Sequence, residues 1–118
     1  MNKIKIGIMP TKQLHERMID IAAGRYIPKR GEPKIWFSSM KSLAEVLSDN
    51  NRLLLKIIAE SKPENIKELA ELSGRQPSNL SRTLKTFERY GFVKMVAGKR
   101  SKKPVAKSVD FDICIPAQ

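Results

Sequence analysis

One cysteine and one histidine in 118 residues leave little room for two kinds of chemistry. Cys114 has no second thiol with which to close an internal disulfide, and Cys114 and His15 together fall short of a zinc-ligand set. No metal and no cofactor are therefore expected. The chain also lacks a phosphate-cradling glycine loop, a Ser-His or Cys-His pair with local support, and paired carboxylates in an apolar setting, so it does not read as an enzyme. Aromatic residues make up 6% and are not interleaved with the basic ones, which argues against base stacking on structured RNA. No apolar run approaches the roughly 20 residues that span a bilayer. The start, Met1 to Gly7, has no signal-peptide apolar stretch, and no basic amphipathic helix carries large membrane anchors. A cytoplasmic protein with no membrane partner is expected.

Acidic residues are the other scarcity. Lys and Arg number 23 against 12 Asp and Glu, a net charge of +11, and the excess is uneven. Residues 71–103 hold nine cations and two acids, hence +7, and residues 1–62 hold twelve and six, hence +6. A compact basic chain of this kind predicts a polyanionic partner, most commonly nucleic acid. The length suits one core without disulfide or metal staples.

The most informative stretch is residues 66–97, which reads as a helix, a tight turn, a second helix and a strand. Ile66, Leu69, Ala70 and Leu72 form one apolar face, Ser73 and Gly74 end that helix, and Pro77 suits the first turn of the next. At 100° per residue, Leu80, Leu84 and Phe87 share one side of the second helix. Ser78, Arg82, Lys85 and Arg89 gather opposite, with Asn79 and Thr86 flanking them. Short polar side chains near a helix amino end, with an arginine one turn on, suit a helix lying in a major groove: Asn pairs with adenine, Arg with guanine, and Ser reaches base edges or phosphate. On an isolated helix a charged stripe is most often a solvated face. Here a glycine turn precedes it, and Gly98 to Pro104 follows as a hairpin tip carrying Lys99, Arg100, Lys102 and Lys103, which suits a wing gripping phosphate or an adjacent minor groove.

Elsewhere the pattern predicts a strand with Ile4, Ile6 and Ile8 buried, then a helix capped by Pro10-Thr11 and running to about Ala23 with Leu14, Met18, Ile21 and Ala22 as its stripe. His15 is expected at the surface. Residues 25–33 read as a loop, 35–37 as a short strand with Trp36 as a core anchor, and the next helix faces Met40, Leu43, Ala44 and Leu47 inward. Asp49 is expected to cap a central helix, apolar nearly all round at Leu53, Leu54, Leu55, Ile57 and Ile58, that ends at Pro63. Residues 105–115 are expected to return as one strand with Val109, Phe111, Ile113 and Ile115 on its apolar face and Cys114 half-buried. Pairing of the first and last strands would set Lys3 and Lys5 against Asp110 and Asp112.

At Lys34-Ile35-Trp36-Phe37-Ser38-Ser39, Leu43-Ala44-Glu45-Val46-Leu47-Ser48 and Ser78 to Thr86, the chain resembles a family of small DNA-binding regulators of bacteria and archaea over nearly its whole length. Members of that family are similar to the antitoxin TumA, whose partner is a TumE-type toxin, and the resemblance implies that some repress their own promoter. Residues 66–104 also look like those of MarR-type regulators, which bind as homodimers. The wider pattern implies groove-facing roles for Ser78, Asn79, Ser81 and Arg82, and backbone or minor-groove contacts for the wing cations. MarR dimers use long terminal helices, whereas strands are expected at both ends of this chain.

The combined expectation is an α+β, mainly α fold: a winged helix-turn-helix at residues 38–115 with a strand-helix extension, residues 1–37, serving association. Its candidate DNA-binding residues are Ser78, Asn79, Ser81, Arg82, Lys85, Thr86 and Arg89 on the recognition helix, Arg75 and Gln76 in the turn, and Lys99, Arg100, Lys102 and Lys103 in the wing. The expected activity is sequence-specific binding to double-stranded DNA by a homodimeric repressor. The alternative is an antitoxin that neutralises a cognate toxin by direct contact.

Overall fold

Alternating lysine and isoleucine make the first strand, β1 (Ile4–Ile8), with Ile6 and Ile8 buried and Ile4 half-buried. The computed structural model describes residues 3–116. After β1 come α1 (Thr11–Ala22), β2 (Ile35–Phe37), α2 (Met40–Val46), α3 (Asp49–Ser61), α4 (Ile66–Ser73), α5 (Pro77–Tyr90), β3 (Val93–Ala97), β4 (Lys102–Ala106) and β5 (Phe111–Cys114). The fold is α+β and mainly helical.

Two sheets are present among the described residues. In the first, β1 lies between β2 and β5 and is parallel to both, with Ile6 opposite Ile35 on one side and Ile113 on the other. The second is the antiparallel hairpin β3-β4, with Val93 opposite Ala106 and Ala97 opposite Lys102. The expected pairing of first and last strands thus occurs within one chain, and Lys5 stands in register with Asp112. The Lys5 ammonium, however, donates to the Gly31 carbonyl at 3.0 Å.

Residues 105–115 form two strands rather than one. β4 ends at Ala106, and Ser108, buried in the connection, accepts a bond from the Asp110 amide at 3.0 Å and donates to the Asp110 carbonyl at 3.1 Å. This local turn redirects the chain from the hairpin to β1. The apolar row expected at its end is open to solvent: Ile113 and Ile115 are exposed, Phe111 is half-buried, and Cys114 is exposed rather than half-buried.

One core joins both sheets and helices α2 to α5. It contains Ile6, Ile8 and Phe37 from the first 37 residues together with Leu43, Leu47, Leu54, Leu55, Ile58, Leu69, Leu80, Leu84, Phe87, Phe92 and Val93. All four phenylalanines and Tyr90 connect in series: Phe37 stacks on Tyr90 at 4.5 Å, Tyr90 on Phe92 at 5.8 Å, and Phe92 meets Phe87 at 6.2 Å and Phe111 edge-on at 5.2 Å. Offset and edge-to-face pairs at such separations each add about 0.5–1.5 kcal/mol beyond area burial. The series ties the three-stranded sheet to the carboxyl end of α5.

Several helix faces are narrower than their periodicity suggests. Met40 and Ala44 on α2, Leu53 on α3 and Leu72 on α4 are exposed, while Leu43, Leu54, Leu55, Ile58 and Leu69 are buried. Ser48, not Asp49, caps α3, accepting from the Asn51 amide at 3.2 Å. Pro10 precedes α1 without a side-chain cap, so Thr11 is its first residue and not its cap.

Helix α1 buries none of its residues. It is held through Arg17, whose guanidinium lies 4.9 Å from the Tyr26 ring centre and 5.0 Å from that of Trp36, and pairs with Glu32 at 2.8 Å. The Tyr26 hydroxyl donates to the other oxygen of Glu32. Together the Tyr26 hydroxyl and the Arg17 guanidinium hold the Glu32 carboxyl below its ordinary pKa, and the Glu32 carboxylate, with Tyr26, raises that of Arg17. Gly7 makes room for this arrangement, because a Cβ there would sit well inside contact with the six-membered ring of Trp36. Trp36 is therefore a half-buried anchor for α1 rather than part of the main core.

Candidate nucleic-acid interface

The turn between α4 and α5 is built by its sequence. Asn65 caps α4 by accepting from the Glu68 amide at 2.8 Å. Gly74 ends the helix at φ 73°, a left-handed conformation that a side chain disfavours, and its amide donates to Ala70 O at 2.9 Å. Gln76 stands in extended conformation before Pro77, the first residue of α5. Proline there loses nothing, because a first-turn N–H has no partner within the helix.

On α5, Leu80, Leu84 and Phe87 are buried, as their spacing predicts. Ser78, Asn79, Arg82, Lys85 and Arg89 are exposed, whereas Ser81 and Thr86 are half-buried. The Thr86 hydroxyl is turned back on the Arg82 carbonyl at 3.3 Å. Gln76 is exposed at the helix entrance. Among the described residues, no carboxylate stands within ion-pair distance of Arg82, Lys85 or Arg89.

Strand β3 packs on α5, and β4 packs on α3. The hairpin tip is shorter than the sequence suggests: Gly98 to Ser101 make the turn, closed by the Gly98 amide on Ser101 O at 2.9 Å, and Lys102, Lys103 and Pro104 belong to β4. Lys99, Arg100 and Lys102 are exposed, while Lys103, beside the buried Pro104, is half-buried.

Arg75 departs furthest from the expected arrangement. Its Nε and Nη2 donate to Asn79 Oδ1 at 2.9 and 2.6 Å, Nη2 also donates to Thr83 Oγ1 at 2.9 Å, and Nη1 donates to Asn51 Oδ1 at 3.0 Å. Four bonds go to protein groups on α3 and α5, so this guanidinium braces the turn instead of standing free in it. Asn51 is itself anchored, donating from Nδ2 to Val46 O at 2.9 Å. Nothing in the sequence near Asn51 marks it as a partner of a residue 24 positions away, and neither Asn51 nor Thr83 stands out from the pattern.

These elements make a small α+β protein in which a two-faced helix, braced at its amino end by an arginine, is followed by a basic hairpin. Residues 46–113 match the sequence model of the HVO_A0114 family, and the chain belongs to that family. The match begins at the last residue of α2 and runs through α3, α4, α5 and the β3-β4 hairpin into β5. No curated protein and no solved structure matches the chain.

Proposed function

We propose that this protein is a winged helix-turn-helix transcriptional regulator that binds duplex DNA with sequence preference. In this reading α5 is the recognition helix and β3-β4 the wing. The carrying observation is the exposed face of α5, where Ser78, Asn79, Arg82, Lys85 and Arg89 stand opposite buried Leu80, Leu84 and Phe87, and where, among the described residues, Arg82, Lys85 and Arg89 are in no ion pair. A basic hairpin follows within the same core. Arg82 serves base readout, and Lys99, Arg100, Lys102 and Lys103 serve phosphate or minor-groove contact. A homodimeric repressor on a two-fold site, acting in the cytoplasm on its own promoter, is the simplest regulator of this kind.

Selection from a random duplex library, followed by titration at several salt concentrations, tests the proposal. Arg82→Ala is expected to weaken binding to the selected site by about 1–3 kcal/mol and to relax one base position. Neutralising the four wing cations is expected to weaken all duplexes alike and flatten the salt dependence. Absence of any enriched sequence would overturn the reading, and equal losses on selected and scrambled duplexes would remove Arg82 from base readout.

A second reading, an antitoxin acting by direct protein contact, is favoured by the apolar residues Met18, Ile19, Ile21 and Ile27, all exposed on or next to α1. Co-expression with the product of the adjacent reading frame, scored for rescue of growth, separates the two. Rescue lost on substituting these residues, with DNA binding intact, would support the contact role.

A further inference from the structure

We infer that Arg75 fixes Asn79 as a hydrogen-bond donor toward DNA, so that the base edge it selects is that of a keto base, guanine or thymine, and not that of adenine. The inference rests on the DNA-binding reading of α5 and adds to it the chemistry that one position reads.

A free asparagine reads adenine with two bonds, its oxygen accepting from N6 and its nitrogen donating to N7. Asn79 does not have its oxygen to spare. Oδ1 accepts two bonds from Arg75, at 2.9 Å from Nε and 2.6 Å from Nη2. The orientation of the amide follows from chemistry, because a guanidinium carries five N–H donors and no acceptor, and only the carbonyl end of an amide can face it. Both charge-assisted bonds come from one edge of the guanidinium and hold the carbonyl end of the amide on Arg75. The end of the amide that Arg75 does not engage, on an exposed side chain in the first turn of α5, is the Nδ2 group with two donors. In the major groove, guanine presents two acceptors, O6 and N7, and thymine one at O4, whereas cytosine presents the N4 donor and adenine sets its N6 donor beside its single acceptor, N7, where it needs the oxygen that Arg75 holds.

The brace is anchored well beyond Asn79. Arg75 follows the left-handed Gly74, its amide donates to Ser73 Oγ at 3.3 Å, and its remaining side-chain bonds reach Thr83 at 2.9 Å and Asn51 at 3.0 Å. Asn51 Nδ2 holds the end of α2 through Val46 O at 2.9 Å, and the Asn51 amide is bonded to the Ser48 cap at 3.2 Å. Turning Arg75 toward phosphate would break four bonds and take the donor from the oxygen of half-buried Asn51. Arg75 is thus a positioning residue, and Asn79 the reader.

The test uses the full chain and its library-selected duplex, with each of the four bases placed in turn at every position. Asn79→Ala locates the position Asn79 reads, as the one where discrimination collapses. There the wild-type protein is expected to favour guanine or thymine over adenine by about fivefold or more, the scale of one good base contact. Arg75→Met frees the Asn79 oxygen and is expected to move that preference toward adenine. Should Arg75→Met fail to fold, base analogues on the wild-type protein serve instead: 2-aminopurine for guanine or 5-methyl-2-pyrimidinone for thymine removes the keto oxygen and is expected to abolish the preference. Adenine favoured by the wild-type protein, no position that depends on Asn79, or a uniform loss across all four bases in folded Arg75→Met would each overturn the inference while leaving DNA binding in place. No enriched duplex at all would overturn both.

Discussion

In α5 the apolar residues Leu80, Leu84 and Phe87 are at most 3% exposed, whereas in α1 Met18 is 61%, Ile19 46% and Ile21 37% exposed. Both helices carry apolar residues at helical spacing. The difference lies in what each has to pack on. The stripe of α5 meets α4, β3 and the series of aromatic rings, so each side chain leaves water entirely and contributes about 1.5–3 kcal/mol. Helix α1 buries no side chain fully and sets the Arg17 guanidinium against two rings and a carboxylate, an attachment that leaves most of the helix open. Periodicity reports that a helix has an apolar side; it does not report that a partner covers it.

Phe87→Ala should have the largest effect on this contrast. Phe87 is fully buried and packs on Phe92, so its truncation is expected to cost about 3–5 kcal/mol of stability in denaturant melts. A midpoint equal to that of the wild type would mean that α5 is not anchored through this face.

Gly7→Ala tests the attachment of α1 from beneath. The added methyl meets the Trp36 ring, and overpacking of this kind costs about 1–3 kcal/mol. Trp36 is the only tryptophan in the chain, so its fluorescence reports the displacement directly. An unshifted emission spectrum would show that the ring does not lie on Gly7.

A smaller effect is expected from Glu32→Gln, and it should depend on pH. The Tyr26 hydroxyl and then the Arg17 guanidinium lower the folded-state pKa of Glu32. A lowered carboxyl pKa stabilises the fold above the unfolded value, about 4.3 for glutamate, and that stabilisation is lost as the pH falls through the folded-state value. The variant should therefore be less stable than the wild type at pH 7, and the gap should close under acid below that range. Paired melts followed by Trp36 fluorescence at neutral and acid pH check it. A gap of constant size would remove the ion pair as its cause.

Met18→Ala should do least, within about 0.5 kcal/mol, as for an exposed residue touching no special feature. A larger loss in the same melts, growing with protein concentration, would show that α1 is covered by a second copy in solution.

The local devices could be read from the chain alone. Gly74 and Pro77 bound the turn, and the 100° spacing of Leu80, Leu84 and Phe87 orients α5 and places Ser78, Arg82, Lys85 and Arg89 outside. These follow from backbone preferences and helical geometry acting over a few residues, so sequence order is enough to specify them. What the tertiary structure decided involves residues far apart. Ser108 divides the expected final strand in two, β5 adds to β1 from the far end of the chain, and Arg75 reaches Asn51 across 24 positions while it holds the oxygen of Asn79. A strand can pair with any exposed edge and a guanidinium can donate to any nearby oxygen. Which edge and which oxygen are chosen depends on the shape of the whole core, and no short stretch of sequence carries that information.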